Sequence, residues 1–292
     1  MKNFYLAFLL FTYFNASCQE IKTAVVVDSA DKKPISFANA SFYFTNIPQK
    51  GDYSNELGIL KIPANSNKVI ISCLGYEEKV IDNFRDTIFL KQIPINLKEI
   101  IIDSKSKHIT LGLINEKKML SIGGSKGIET VIFIENLERE EKTIKSFLFN
   151  VKRKDKYLTA VRFHLYKKLE NKFQPGEEIM HHDIVKLIGG KTKGEISIDL
   201  STLGLTIPVE GIFAGIEWLG ILDEKTGEFI DGSSKWNDTA IDYNYSVNKS
   251  ITFMRDRFKS NIWDNSERLK KDLSNIKSEN YPNASFGITV YK

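Results

Sequence analysis

Cysteine is scarce in this chain: 292 residues contain two, Cys18 and Cys73. That excludes the disulfide framework of a small secreted domain. Charge of one sign is lacking too. With 41 Lys and Arg against 37 Asp and Glu, the formal net charge is +4, too even for the concentrated basic face that nucleic-acid binding requires. Beyond the first residues no apolar run approaches the roughly 20 residues of a membrane-spanning helix. Gly123-Gly124-Ser125-Lys126-Gly127 lacks the spacing of a phosphate-binding loop. None of the four histidines has a glutamate three positions downstream, so the His-x-x-Glu pair of a zinc carboxypeptidase is missing. Alternating βα units are absent as well, which argues against a Rossmann or barrel enzyme.

What is there begins with an export signal. Lys2 precedes an almost unbroken apolar run, Phe4 to Phe14, and the small residues Ala16 and Ser17 lead to Cys18. This is the layout of a secretory signal peptide over 1–18. Two cleavages compete. Asn15-Ala16-Ser17-Cys18 has the form of a lipoprotein box, with Asn15 where an aliphatic residue is usual, which would make Cys18 the lipidated first residue. Ordinary cleavage after Cys18 would start the mature chain at Gln19. A lipid chain would anchor the protein without spanning the bilayer.

From Ile21 to about Asp103 short β-branched and apolar segments alternate with turns. Ile21 to Val27, Ala40 to Phe44, Ile59 to Ile62, Val69 to Leu74 and Leu97 to Ile102 read as strands, with Val80, Ile81 and Ile88 to Leu90 continuing the pattern. Gly51 to Gly58 reads as turn chemistry, and Cys73 as a small hydrophobe inside a buried strand. The expected organisation is a β-sandwich over 19–103, a polar linker at 104–108 and a second, larger β-sandwich over 109–292. In the second region Val161, Phe163 and Leu165 point one way, and Arg162, His164 and Tyr166 the other. Ile212 to Leu219 is apolar on both faces apart from Glu217, as in a central strand. Asn265 to Ile276 has helical spacing at Leu269, Leu273 and Ile276. The fold class is therefore all-β.

The first region carries an ordered series of motifs: Asp28 after the first strand, Lys33-Pro34-Ile35, Ala38-Asn39-Ala40-Ser41, Ser54-Asn55-Glu56-Leu57-Gly58-Ile59-Leu60, Ile70-Ile71-Ser72-Cys73-Leu74-Gly75-Tyr76, and Leu97 to Ile102. In this order it resembles the carboxypeptidase-regulatory-like domain, a transthyretin-like (prealbumin-like) sandwich found beside metallocarboxypeptidase domains and at the N-termini of TonB-dependent outer-membrane receptors. The resemblance implies a non-catalytic module that supports or docks its neighbours. It also implies a Gram-negative envelope location, in the periplasm or at the outer-membrane surface. The about 190 residues that follow lack the aromatic-girdled repeat of an outer-membrane barrel. They are similar to the uncharacterised C-terminal part of some exported proteins at Arg162 to Tyr166, Pro175 to Glu178, Ile198 to Ser201, Ile207-Pro208 and Gly211 to Trp218, a likeness that implies no activity. The second sandwich is expected to be jelly-roll-like.

Five groups of side chains invite a site reading. Glu177, Glu178, His181, His182 and Asp183 form the densest metal-capable stretch, with a solvated hairpin as the alternative. His164 reads as a hydrogen-bonded structural histidine with no acid pattern beside it. Glu217, alone in an apolar strand, needs a partner or its pKa rises, and Arg162 is the candidate. Trp218, Trp236 and Trp263, with Tyr243, Tyr245 and Tyr281, would suit a sugar-stacking platform if exposed, and core packing otherwise. Asp231-Gly232 with Asn237, Asp238 and Asp242 misses the calcium-loop spacing. No catalytic set, cofactor or metal is expected. The expected role is non-catalytic binding or scaffolding, with an envelope protein or surface glycan as partner and a membrane touched only through a lipid anchor. The alternative is carbohydrate binding through the second sandwich.

Overall fold

The computed structural model describes residues 21–45, 48–94, 107–152, 157–189, 192–230, 239–259, 261–272 and 278–292. The amino-terminal part holds β1 (Ile21–Asp28), β2 (Asn39–Tyr43), β3 (Pro48–Tyr53), β4 (Ile59–Pro63), β5 (Lys68–Ser72), β6 (Lys79–Ile81) and β7 (Thr87–Leu90). Three strands in the order β4-β1-β7 face four in the order β3-β2-β5-β6. β1 runs antiparallel to β4 and parallel to β7. Strict alternation builds the core: Ala24 and Val26 of β1 and Leu60 and Ile62 of β4 meet Ala40, Phe42, Val69 and Ile71 from the facing sheet.

The carboxy-terminal part holds β8 (His108–Gly112), β9 (Leu120–Gly123), β10 (Ile128–Ile134), β11 (Lys142–Lys152), β12 (Leu158–Lys168), β13 (Pro175–Glu178), β14 (Val185–Ile188), β15 (Lys193–Asp199), β16 (Thr206–Ile207), β17 (Ile212–Leu222), β18 (Ala240–Asn244), β19 (Thr252–Asp256), β20 (Asp264–Asn265), helix α1 (Glu267–Asp272), β21 (Asn283–Ala284) and β22 (Phe286–Tyr291). One sheet runs β13-β12-β17-β10-β19-β20 with β14 beside β12. The other runs β21-β18-β11-β22-β8 with β9, β15 and β16 attached. Their facing sides close over a core in which Phe163, Ala214, Ile216 and Trp218 meet Phe147, Phe149 and Phe286. The rings of Phe147 and Phe163 lie 4.6 Å apart. The molecule is thus all-β, two sandwiches with one short helix among the described residues.

Both faces of the β12–β17 sheet are covered, which is why β17 is apolar on both sides. Its second face receives the amino-terminal sandwich. Phe37 and Tyr53 pack there on Ala160, Leu219, Leu222 and Phe258. At Gly75, with φ +85°, a Cβ would stand 2.7 Å from the carbonyl oxygen of His181, so this turn touches the second sandwich through bare backbone.

Several sequence expectations need adjusting. Gly51 to Tyr53, read as turn, belongs to edge strand β3, whose Pro48-Gln49-Lys50-Gly51-Asp52 shows no apolar alternation and pairs only with β2. The linker at 104–108 ends inside β8, because His108 already pairs with Tyr291; residues 104–106 lie outside the described residues, as does the strand expected at Leu97 to Ile102. Within the described residues the helix covers Glu267–Asp272, with Asn265 in β20 instead; 273–277, the rest of the expected helix, lie outside the described residues. No helix among the described residues is long and apolar enough to cross a membrane.

Gly215 gives a direct test of the sheet that carries the site. It sits in β17 opposite Val131 and His164, and a Cβ there would lie 2.0 Å from the Thr130 carbonyl oxygen and 2.5 Å from the Val131 Cα. Both are backbone atoms, so Gly215→Ala must push β17 from β10. Chemical denaturation should show a loss of about 1–3 kcal/mol or more.

Candidate functional site

The strand register places four charged residues in one row across the second face of the larger sheet. Arg162 of β12 stands opposite Glu217 of β17, Glu217 opposite Glu129 of β10, and Glu129 opposite Arg255 of β19. The sequence + − − + puts two carboxylates side by side, and Arg257 answers both. Its Nη1 donates to Glu129 Oε2 at 3.2 Å, and its Nε lies 3.2 Å from Glu217 Oε1. Arg255 Nε donates to Glu129 Oε2 at 2.8 Å, and Arg162 Nη1 to Glu217 Oε2 at 3.0 Å. Glu129 and Glu217 are both completely buried.

His164, two residues along β12 from Arg162, lies between carboxylates. Nε2 is 2.9 Å from Glu217 Oε2 and Nδ1 is 2.5 Å from Glu178 Oε1. Both ring nitrogens face acceptors, which selects the doubly protonated imidazolium. Burial opposes that charge, yet Glu129 and Glu178, together with the hydrogen bonds to Glu178 and Glu217, raise His164 from 6.5 to about 10. Burial likewise acts to raise Glu217, but Arg257, Arg162 and His164 hold it well below the carboxylate range. Glu129 is lowered by His164, Arg255 and Arg257 against its own burial.

The amino-terminal sandwich completes the cluster. Tyr53, from β3, donates its hydroxyl to Glu217 Oε1 at 2.5 Å. Arg162 Nη2 donates to the Phe37 carbonyl and lies 3.0 Å from Asp183 Oδ2. Asp183 accepts from the Cys73 thiol at 3.3 Å, and burial followed by Asp183 raises that thiol's pKa. Outside this centre Lys126 pairs with Asp52, and Glu228 takes Lys61 at 3.1 Å. Four acids (Glu129, Glu178, Asp183, Glu217) meet four cations (Arg162, His164, Arg255, Arg257), so no net charge is buried. Glu217 is at 0% exposure and His164 at 1%. The arrangement ties two sandwiches together.

The expectation that no acid accompanies His164 is corrected by this geometry: Glu178 and Glu217 were invisible as partners because strand pairing, not sequence proximity, delivers Glu217. The Arg162 and Glu217 side chains do meet. Glu129, Arg255, Arg257 and Tyr53 were missed. One signal existed, the i, i+2 spacing of Arg255 and Arg257 that puts both on one strand face. His181 and His182 are exposed in the β13–β14 connection beside Leu203 and Leu205. No group of three or more metal-capable side chains forms among the described residues. Asp242, from the calcium-loop reading, lies in β18, paired with Lys118 at 2.5 Å; 231–238 lie outside the described residues.

The stacking platform divides. Trp218 is 1% exposed inside the core, since its position in β17 points between the sheets, so it cannot meet a ligand. Trp236 lies outside the described residues. Tyr243 is buried as well. Trp263 and Tyr281 instead line an open groove of about 600 Å³, with the Arg255 guanidinium 4.2 Å from the Trp263 ring centre.

No protein-family model matches the chain, and no curated protein matches it in sequence. Among solved structures it has a slight likeness to the cysteine protease and lectin-like domains of Cwp84, a surface layer associated protein of Clostridium difficile. The identity is 10% and the TM-score 0.36, over 88% of this chain and 59% of that one. A likeness of that size carries no argument.

The cluster makes a signed prediction for pH. His164 is raised on folding, so its stabilisation is full below about pH 6.5 and is lost as pH rises toward 10. Glu217 is lowered, so its contribution is present above its unfolded value and falls away in acid. His164→Gln should cost roughly 3–5 kcal/mol near neutrality. Denaturation series should also show that the decline between pH 6.5 and 10 is shallower in the variant than in the parent.

Proposed function

We propose that this chain is a non-catalytic, exported cell-envelope protein that acts in binding or scaffolding. The observation that carries this reading is the closed centre of the dense titratable cluster among the described residues: charge-balanced, with Glu129, Glu217, Arg162 and His164 buried, and roofed by Tyr53. An acid–base site needs access to a reacting atom, and here those groups join two sandwiches. The resemblance of the first module to the carboxypeptidase-regulatory-like domain supports the same reading. So does its sandwich of three strands against four. The signal layout ending at Cys18 supports export, with Cys18 either lipidated or removed. The partner is an envelope protein or a surface glycan.

A second reading, carbohydrate binding through the carboxy-terminal sandwich, is favoured by one observation: Trp263 lines an open groove.

Fractionation with mass spectrometry of the mature N-terminus tests the proposal. The protein is expected in the envelope fraction, starting at a diacylated Cys18 or at Gln19, and to copurify with an envelope component. Recovery from the cytoplasm with Met1 intact would sink it. So would turnover of a peptide, ester or glycoside that is abolished in a folded His164→Gln variant.

A further inference from the structure

We infer that the groove between the β19–β20–α1 region and the chain preceding β13 binds a neutral carbohydrate, with Trp263 and Tyr281 as its stacking rings. The inference rests on the binding reading above and names the ligand class and site.

The size is right: about 600 Å³ lies inside the span of roughly 300–1,000 Å³ typical of small-ligand sites. The lining has the two kinds of surface a sugar presents. Aromatic rings suit the C–H face of a pyranose, and here Trp263, Tyr281 and the 40%-exposed Phe173 supply them. Amides suit vicinal hydroxyls, because each offers a donor and an acceptor, and Gln174, Asn248 and Asn265 line the same groove.

Charge selects among ligands. Among the lining residues Lys172 and Lys249 are matched by Asp264 and Glu267, and Arg255 behind Trp263 is answered by Glu129, so the lining has no net sign with which to concentrate an anion or a cation. A neutral polyhydroxylated molecule fits that balance, and a phosphate or a polyamine does not.

The rings are also held in place. Arg255 stacks on Trp263 at 4.2 Å and is itself fixed by Glu129 and by the Tyr166 hydroxyl, each at 2.8 Å. Tyr166 meets Trp263 nearly at right angles, with ring centres 5.6 Å apart. Lys270 Nζ stands 4.3 Å from the Tyr281 ring. The buried ionic row thus extends through Arg255 to the groove floor. A ring immobilised before binding loses less entropy when the ligand arrives.

The test is calorimetric titration of the mature protein with cellobiose, maltotriose, mannobiose, galactobiose and diacetylchitobiose. Digalacturonic acid, chitosan disaccharide and inorganic phosphate serve as charged comparators. At least one neutral saccharide should bind, with an affinity that raising the salt leaves unchanged. Trp263→Ala and Tyr281→Ala should each weaken it about tenfold or more. Asn248→Ala, at an exposed position on the groove rim, should weaken it with the thermal midpoint unchanged, which keeps the test decisive should an aromatic variant fail to fold. The inference is overturned if no neutral saccharide binds, if a charged comparator binds more tightly, or if the Asn248 variant binds like the parent. Capture of an envelope protein alongside a silent titration would remove this inference and leave the binding reading standing.

Discussion

Two fully buried carboxylates, side by side on adjacent strands, are the constraint around which this molecule is arranged. Glu129 and Glu217 occupy paired positions of β10 and β17, where water does not reach them. Isolated, each would neutralise or unfold its surroundings. They remain charged because Arg162, Arg255 and Arg257 close the row and His164 adds a fourth cation. Desolvating so many charges is expensive, and a buried ion pair by itself is weak evidence for stability. What the cluster supplies is orientation. Removing Arg162 or His164 would leave the fully buried Glu217 short of a partner, and this docking of the two sandwiches answers it.

That requirement explains features far apart in the chain. Tyr53 sits on a weakly patterned edge strand, yet it is buried to 2% exposure because its hydroxyl has a carboxylate to reach. The Phe37 backbone carbonyl serves the same end by accepting from Arg162. Around the polar centre an apolar collar of Phe37, Leu219, Leu222 and Phe258 excludes water and so strengthens every charge interaction inside it. On the opposite flank Arg255 carries the order outward, from Glu129 to Tyr166 and Trp263. A single set of contacts therefore fixes the docking of the amino-terminal sandwich and the pose of the half-buried Trp263.

Much of the fold was legible locally. In β12 the alternation of Val161, Phe163 and Leu165 with Arg162, His164 and Tyr166 identified strand and faces correctly, because side-chain direction in a strand depends only on residue parity. The unbroken apolar run of β17 marked it as covered on both sides, and its lone Glu217 marked a buried charge. Weak patterns misled. Lys50-Gly51-Asp52 looked like a turn because nothing apolar alternates there, and β3 exists as a strand by virtue of its pairing with β2. For Trp218 a stacking platform and core packing both stood open, and its even-numbered place in β17, shared with Ala214 and Ile216, sends it into the core.

Residue order alone determined the all-β class, the alternating faces and the need for Glu217 to have a partner, because each depends on neighbours within a few positions. Which partners answer that need was decided only in three dimensions. Glu129, Arg162, Glu217 and Arg255 are separated by tens of residues and become a row through the register of four strands. Tyr53 joins them only because one sandwich packs on the other. Register and docking are set by long-range complementarity of whole surfaces, and no short stretch of sequence contains that information.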